Sequence, residues 1–407
     1  MFARLMAVVA ALTLSACAAL SPPMSAPEPR PLVLLVSIDG FRPDYLDRGV
    51  TPTLSRLAAE GATGPMQPSF PSKTFPNHYT LVTGLRPDHH GIVNNTMEDP
   101  AIPGVTFRLS DKAAVTDRRW WDDGEPVWVT AENAGLHTAT LFWPGSEADI
   151  HGVRPERWLP FDQTMTGDAR VDQFLAWLDD PAAARPDFGT LYFDIVDTAG
   201  HRSGPDSPEV DAAVASVDAS MARLLAGLRA RGLADQVVLV VVADHGMAAT
   251  APERSIPLGP VTASDAAHVV FAGAILGVDP VPGHEAAVRA ELLAPHDHMQ
   301  CWERGHLPPR LAFGTHRRVP AIFCLAETGW EIVWPDQKGW SGGDHGYDNA
   351  APEMQALFIA HGPGVARGAR IEGLRNVDVH ALLGRLLGIA VPADDGDPRL
   401  AATVLVP

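Results

Sequence analysis

The chain has 407 residues, 46% hydrophobic and 20% charged, with 36 Gly and 37 Pro. This composition can bury a large core and excludes collagen, coiled coil and wholesale disorder. Its 31 basic and 49 acidic residues leave a formal charge of −18. That charge repels a phosphate backbone, so no nucleic-acid binding is expected.

Met1 to Ala16 reads as an export signal. Arg4 precedes the apolar stretch Leu5–Leu14, which is too short to span a bilayer. Leu14-Ser15-Ala16-Cys17 resembles a bacterial lipoprotein cleavage box. Residues 1–17 are therefore expected to be a signal with lipidation at Cys17, giving a membrane partner through a lipid anchor. The expected location is the periplasmic face of the outer membrane, or the periplasm in soluble form. Residues 18–31 include the proline-rich Ser21–Pro31 and read as a stiff tether.

From Leu32 onward, short apolar runs alternate with helical patterns. Leu32–Ile38, Ala139–Phe142, Leu191–Val196, Val237–Ala243 and Ala356–Ala360 are almost continuously apolar, as strands covered on both faces are. Helices are expected over Thr51–Glu60, Glu209–Arg231 and Asn376–Leu387, the first two stopping at Gly61 and Gly232. The alternation predicts an α/β three-layer sandwich with a mostly parallel central sheet over 32–390, followed by a tail at 391–407. Residues 249–343 lose this periodicity, carry Trp302, Trp330, Trp334 and Trp340, and are expected to form an insertion. The Trp-rich Arg118–Pro160 is a second candidate elaboration. In an oxidising compartment Cys301 and Cys324 form either a disulfide or two separate thiols.

Polar chemistry gathers where these strands end. Asp39 follows the first run, Asp197 follows Val196, and Asp244-His245 follow Ala243. Ligands of open α/β sheets bind beyond the carboxyl ends of strands. Asp197 and His201 are four residues apart and can reach one ion. Asp344-His345 lie in a Gly-rich loop. Asp and His are the usual ligands of zinc-like cations, and a pair of such cations suits displacement at phosphorus.

The motifs that carry a family resemblance are Val36–Arg42, Phe70–Tyr79 (FPSKTFPNHY), Val82–Gly84, His90–Asn95, Phe142–Gly145, Asp197–Pro205, Ala243–Met247 and Asp344–Asn349. In this order they resemble the nucleotide pyrophosphatase/phosphodiesterase family of the alkaline phosphatase superfamily. The resemblance implies an alkaline-phosphatase-like fold and two zinc ions per chain. It implies Asp197, His201 and His345 as ligands of one ion, and Asp39, Asp244, His245 and the Thr74 oxygen as ligands of the other. Thr74 would be the nucleophile, with Asn95 and the Phe75 backbone N–H as donors to the phosphate. Phe75 and Phe161 would sandwich a nucleotide base. Asp344 is expected behind the ligands, and Lys73 is expected to turn to solvent.

The implied substrate is a nucleotide phosphodiester or pyrophosphate. Alternatives are a phosphate monoester, a phospholipid-type diester, or a non-catalytic surface lipoprotein. Ser69–Lys73 superficially resembles a sulfatase signature, but Lys73 stands where that signature needs Arg.

Overall fold

The computed structural model describes residues 31–406. The expected signal, Cys17 and the tether up to Arg30 lie outside the described residues. Among the described residues no helix is long and apolar enough to cross a membrane.

The centre is a nine-stranded mixed sheet. Its middle strands, Val237–Val242, Leu32–Ile38 and Phe188–Phe193, lie side by side and parallel. Every residue of the three is buried, which is why their sequences are continuously apolar rather than alternating. Each fully buried Val or Leu contributes about 1.5–3 kcal/mol to this core. Thr138–Leu141 and Arg157–Leu159 extend the sheet in parallel on one side. On the other side Ala356–His361 runs antiparallel to Val237–Val242 and to Ala62–Gln67. The sheet is therefore mostly parallel with one reversed strand.

Helices cover both faces. Pro52–Glu60, Gly167–Trp177 and Pro208–Ala230 pack together on one side, and Thr74–Thr83, Val127–Asn133 and Asp378–Leu387 on the other. The long Pro208–Ala230 helix has a readable start. The Ser207 hydroxyl accepts from the Val210 N–H, Pro208 occupies the first turn, and Glu209 and Asp211 face the positive end of the helix dipole.

Within 249–343 the chain builds a separate four-stranded antiparallel sheet from Ala267–Phe271, Ile275–Pro280, Ile322–Ala326 and Met299–Glu303. Cys301 and Cys324 are directly paired across two of its strands and joined by a disulfide. Arg318 ties this region to 90–123. It bonds Asp99 at 2.5 Å and the carbonyls of Gly91 and Trp120, all away from solvent. Residues 391–406 are no loose extension, since the helix Pro398–Val404 buries Ala401 and Val404.

One expected strand is partly a helix. The run Leu191–Val196 ends as a strand at Phe193, and Ile195–Ser203 is helical. Asp197 and His201 therefore project from one helix face, because a four-residue spacing is close to the 3.6-residue turn.

Candidate metal centre and nucleophile

The register of the three central strands assembles the site. Ser37 pairs with both Tyr192 and Val242. Asp39, the helix carrying Asp197 and His201, and the Asp244-His245 pair consequently leave the sheet at the same edge. Gly40 makes this convergence possible. Its φ is +69°, a Cβ there would lie 3.1 Å from the Asp197 Cα, and its N–H donates to Asp244 Oδ1 at 3.2 Å.

The residues named from the sequence fall into two touching groups. In one, His245 Nε2 lies 2.9 Å from Asp244 Oδ2 and 3.5 Å from Asp39 Oδ1. In the other, Asp197 reaches both His345 Nε2, at 3.7 Å, and His201 Nε2, at 3.5 Å. The rings of His245 and His345 stack at 3.5 Å and join the groups. All three imidazoles turn Nδ1 to a backbone carbonyl: His201 to Gly343, His245 to Gly246, and His345 to Ser72, at 2.8–2.9 Å. This leaves each Nε2 free to ligate, and such outer contacts orient metal-binding histidines.

The carboxylates show what is needed between them. Asp39 Oδ1 and Asp197 Oδ1 are buried without a hydrogen-bond partner, and Asp244 Oδ2, also buried, faces the His245 and His78 rings. Leaving a buried charge unpaired is costly. Burial pushes Asp39 well above the usual carboxylate range, and the Asp244 charge adds to it. Burial likewise raises Asp197. Burial would also raise Asp244, but His245 and His78 hold it well below its ordinary value. Burial pushes His345 well below the usual histidine range, with His245 adding to the shift. Three carboxylates and three neutral-capable imidazoles around orphaned oxygens fit divalent cations of the zinc type.

Thr74 opens the helix Thr74–Thr83, and its hydroxyl lies 3.3 Å from His245 Nε2. The preceding turn is pinned by Asn77, whose amide donates to the carbonyls of Pro71 and Lys73 and accepts from the Ser69 N–H. Asn376 donates to the same Asn77 oxygen at 2.7 Å. His78, one turn beyond Thr74, contacts Ser37 Oγ at 2.8 Å and lies 3.3 Å from Asp244 Oδ2. These supporting residues went unremarked in the sequence, although Asn77 and His78 stand inside the FPNH run.

Two expectations about the site change. The Phe75 N–H is not free, because it donates to Asn95 Oδ1 at 2.9 Å. That bond fixes the Asn95 amide and leaves its NH2 as the donor. Lys73 does not face solvent. Its ammonium bonds Asp344 Oδ1 at 3.1 Å, and the same oxygen accepts from the His345 N–H at 2.7 Å. A Cβ on Gly346, whose φ is +107°, would lie 2.3 Å from Lys73 Cε, so glycine clears the lysine's path. Asp344 thereby links the chain before Thr74 to the loop carrying His345. Behind it, burial and the Asp344 charge push Glu331 up to about 8.

A cavity of about 440 Å³ opens on these groups. Asp39, Thr74, Asn95, Asp197, His201 and His345 line its floor, and Phe75, Phe142, Trp143, Phe161 and Tyr192 line it with aromatic surface. Phe161 is 38% exposed and stands edge-on to Phe142 at 5.5 Å. Lys112 also reaches the cavity.

The fold and this site define a metal-dependent hydrolase of the alkaline-phosphatase-like class. The chain belongs to the Type I phosphodiesterase / nucleotide pyrophosphatase family, whose model matches residues 33–348. An uncharacterized Schizosaccharomyces pombe pyrophosphatase/phosphodiesterase is 35% identical over 380 residues, covering 89% of this chain and 78% of its own length. Homo sapiens ectonucleotide pyrophosphatase/phosphodiesterase family member 1 is 34% identical, with 90% of this chain matched to 41% of that protein. The chain thus spans under half the length of that relative. The structure of murine ectonucleotide pyrophosphatase/phosphodiesterase 5 matches with a TM-score of 0.88 at 31% identity, covering 92% of this chain and 100% of that one. An inactive threonine-to-alanine form of the murine protein, in complex with AMP, matches with the same TM-score at 30% identity, covering 93% of this chain and 100% of that one.

Proposed function

We propose that the protein is a two-zinc phosphodiesterase and nucleotide pyrophosphatase acting through a covalent phosphothreonine. The observation that carries this reading is the Thr74 hydroxyl, 3.3 Å from His245 Nε2, at the floor of a cavity lined by Phe75 and Phe161. The murine relative solved with AMP, in its inactive threonine-to-alanine form, supports it.

Asp39, Asp244, His245 and Thr74 would hold one zinc, and Asp197, His201 and His345 the other. When bound, the ions supply Lewis acidity at the phosphoryl oxygens and make the threonine hydroxyl easier to ionise. Thr74 Oγ1 forms its bond to phosphorus as the bond to the alcohol or nucleotide leaving oxygen breaks, on the side of His201 and His345. Water then cleaves the phosphothreonine and restores the hydroxyl. Asn95, fixed by the Phe75 N–H, donates its NH2 to a non-bridging oxygen. Phe75 and Phe161 hold the base, and stacking tolerates every base because each has a π face.

Thr74→Ala tests the covalent step. Turnover of a nucleotide diester should fall by at least about a thousandfold, while zinc content measured by atomic emission stays at the wild-type value. Near-normal turnover in this variant would remove Thr74 from the reaction. A panel pairing a nucleotide diester with a simple monoester tests the class. Higher kcat/KM on the monoester would favour the monoesterase reading, for which Lys112 is the cavity's available cation.

A further inference from the structure

Trp340 packs beside the backbone of His201, at the end of the helix that carries this residue into the cavity. Its indole N–H donates to the His201 carbonyl at 3.1 Å, and its own carbonyl accepts from Thr250 Oγ1 at 2.9 Å. A Cβ on Gly342 would lie 2.3 Å from the His201 carbonyl and 2.8 Å from Trp340 Cδ1, so the loop crosses the helix end with no room to spare. The ring is therefore anchored, yet the residue remains 42% exposed. Trp120, Trp121, Trp128 and Trp143 are fully buried, and among the described tryptophans only Trp334, at 38%, is similarly exposed. Trp340 does not line the cavity formed with Phe75 and Phe161.

His201 is the most exposed of the three imidazoles in the two groups. A diester has two substituents, and the cavity takes one. The other departs past His201 in the reading proposed above, on which this inference rests. We propose that Trp340 is a stacking platform for the leaving group, and that the preferred diesters carry a planar heteroaromatic ring on that side, as a second nucleoside does. A ring held by its N–H edge presents a face without the entropy cost of ordering a free side chain. Aromatic stacking of one base is sequence-tolerant, so the platform selects for the presence of a ring, not for its identity.

The test compares two esters of the same nucleoside 5′-monophosphate, one with methanol and one with a second nucleoside. Trp340→Ala should raise KM for the nucleoside ester about tenfold, the scale of one lost stacking contact, and leave the methyl ester unchanged. Trp340→Phe keeps a stacking face and loses the N–H bond, so it should retain the preference for the nucleoside ester. Equal loss on both esters in Trp340→Ala and Trp340→Phe would mean that the residue only props the His201 loop. No change on either ester would overturn the platform outright. A wild-type protein that hydrolyses neither ester would instead sink the phosphodiesterase reading. Calorimetric titration with free nucleoside in a Phe161→Ala background, where the cavity's own base contact is removed, then decides the platform separately: weaker binding on adding Trp340→Ala supports it, and equal binding overturns it.

Discussion

Tyr192→Phe isolates one hydrogen bond behind the metal ligands. The Tyr192 hydroxyl donates to Asp39 Oδ2 at 2.6 Å, while the other Asp39 oxygen points to His245. Burial and the Asp39 charge push the phenol well above its ordinary pKa, so it remains a donor. Phenylalanine keeps the ring and its edge contacts with His78 at 5.2 Å and Phe161 at 6.0 Å. What is lost is one bond to a charged acceptor, about 1.5–3 kcal/mol. Without it, ionised Asp39 is harder to maintain, and zinc competes less well with a proton. At about 1.4 kcal/mol per tenfold, zinc affinity should fall about ten- to a hundredfold. Competition against a chromophoric chelator at fixed pH measures this directly, and circular dichroism checks that the variant is folded. A folded variant whose zinc affinity stays within about twofold of wild type, against the expected outer-contact loss, would refute the argument that Tyr192 holds Asp39 ready to ligate.

Phe161→Ala should lower kcat/KM for nucleotide diesters about ten- to a hundredfold and leave methyl diesters nearly unchanged. Equal loss on both would show that Phe161 serves packing against Phe142 and not the base. His90 gives a pH dependence of stability. Burial lowers its pKa to about 3, and its ring accepts from the Ile92 N–H and pairs with Thr80. The folded state therefore refuses a proton that the unfolded chain takes up at about 6.5. The contribution is complete above that value and is lost as pH falls toward 3. Denaturant unfolding of chelator-treated protein should lose up to about 2 kcal/mol from this group between pH 6.5 and 5. His90→Gln should remove that part of the slope, and an unchanged slope would assign it elsewhere.

The site's chemistry was legible in the sequence because it is written in residue types at strand ends. Asp39, Asp244 and His245 directly follow or nearly follow short apolar runs of the kind interior strands have, and Thr74 stands in a run rich in family-specific residues. The apolar runs also implied parallel strands covered on both faces. Other features required the third dimension. Asp197 and His201 sit on a helix because the chain turns at Asp194 beside the sheet edge, and an apolar run alone cannot separate strand from helix. Ala62–Gln67 is a strand although its sequence, Ala-Thr-Gly-Pro-Met-Gln, has little strand propensity. Pairing with Ala356–His361 decides it. Lys73 meets Asp344 across 271 residues, and the Phe75 N–H meets Asn95 rather than a ligand. Those contacts depend on which loops the sheet register brings to one edge. Sequence determined which groups were available to bind metal and attack phosphorus. Only the packed structure decided which buried polar atoms satisfy one another and which are left for a ligand.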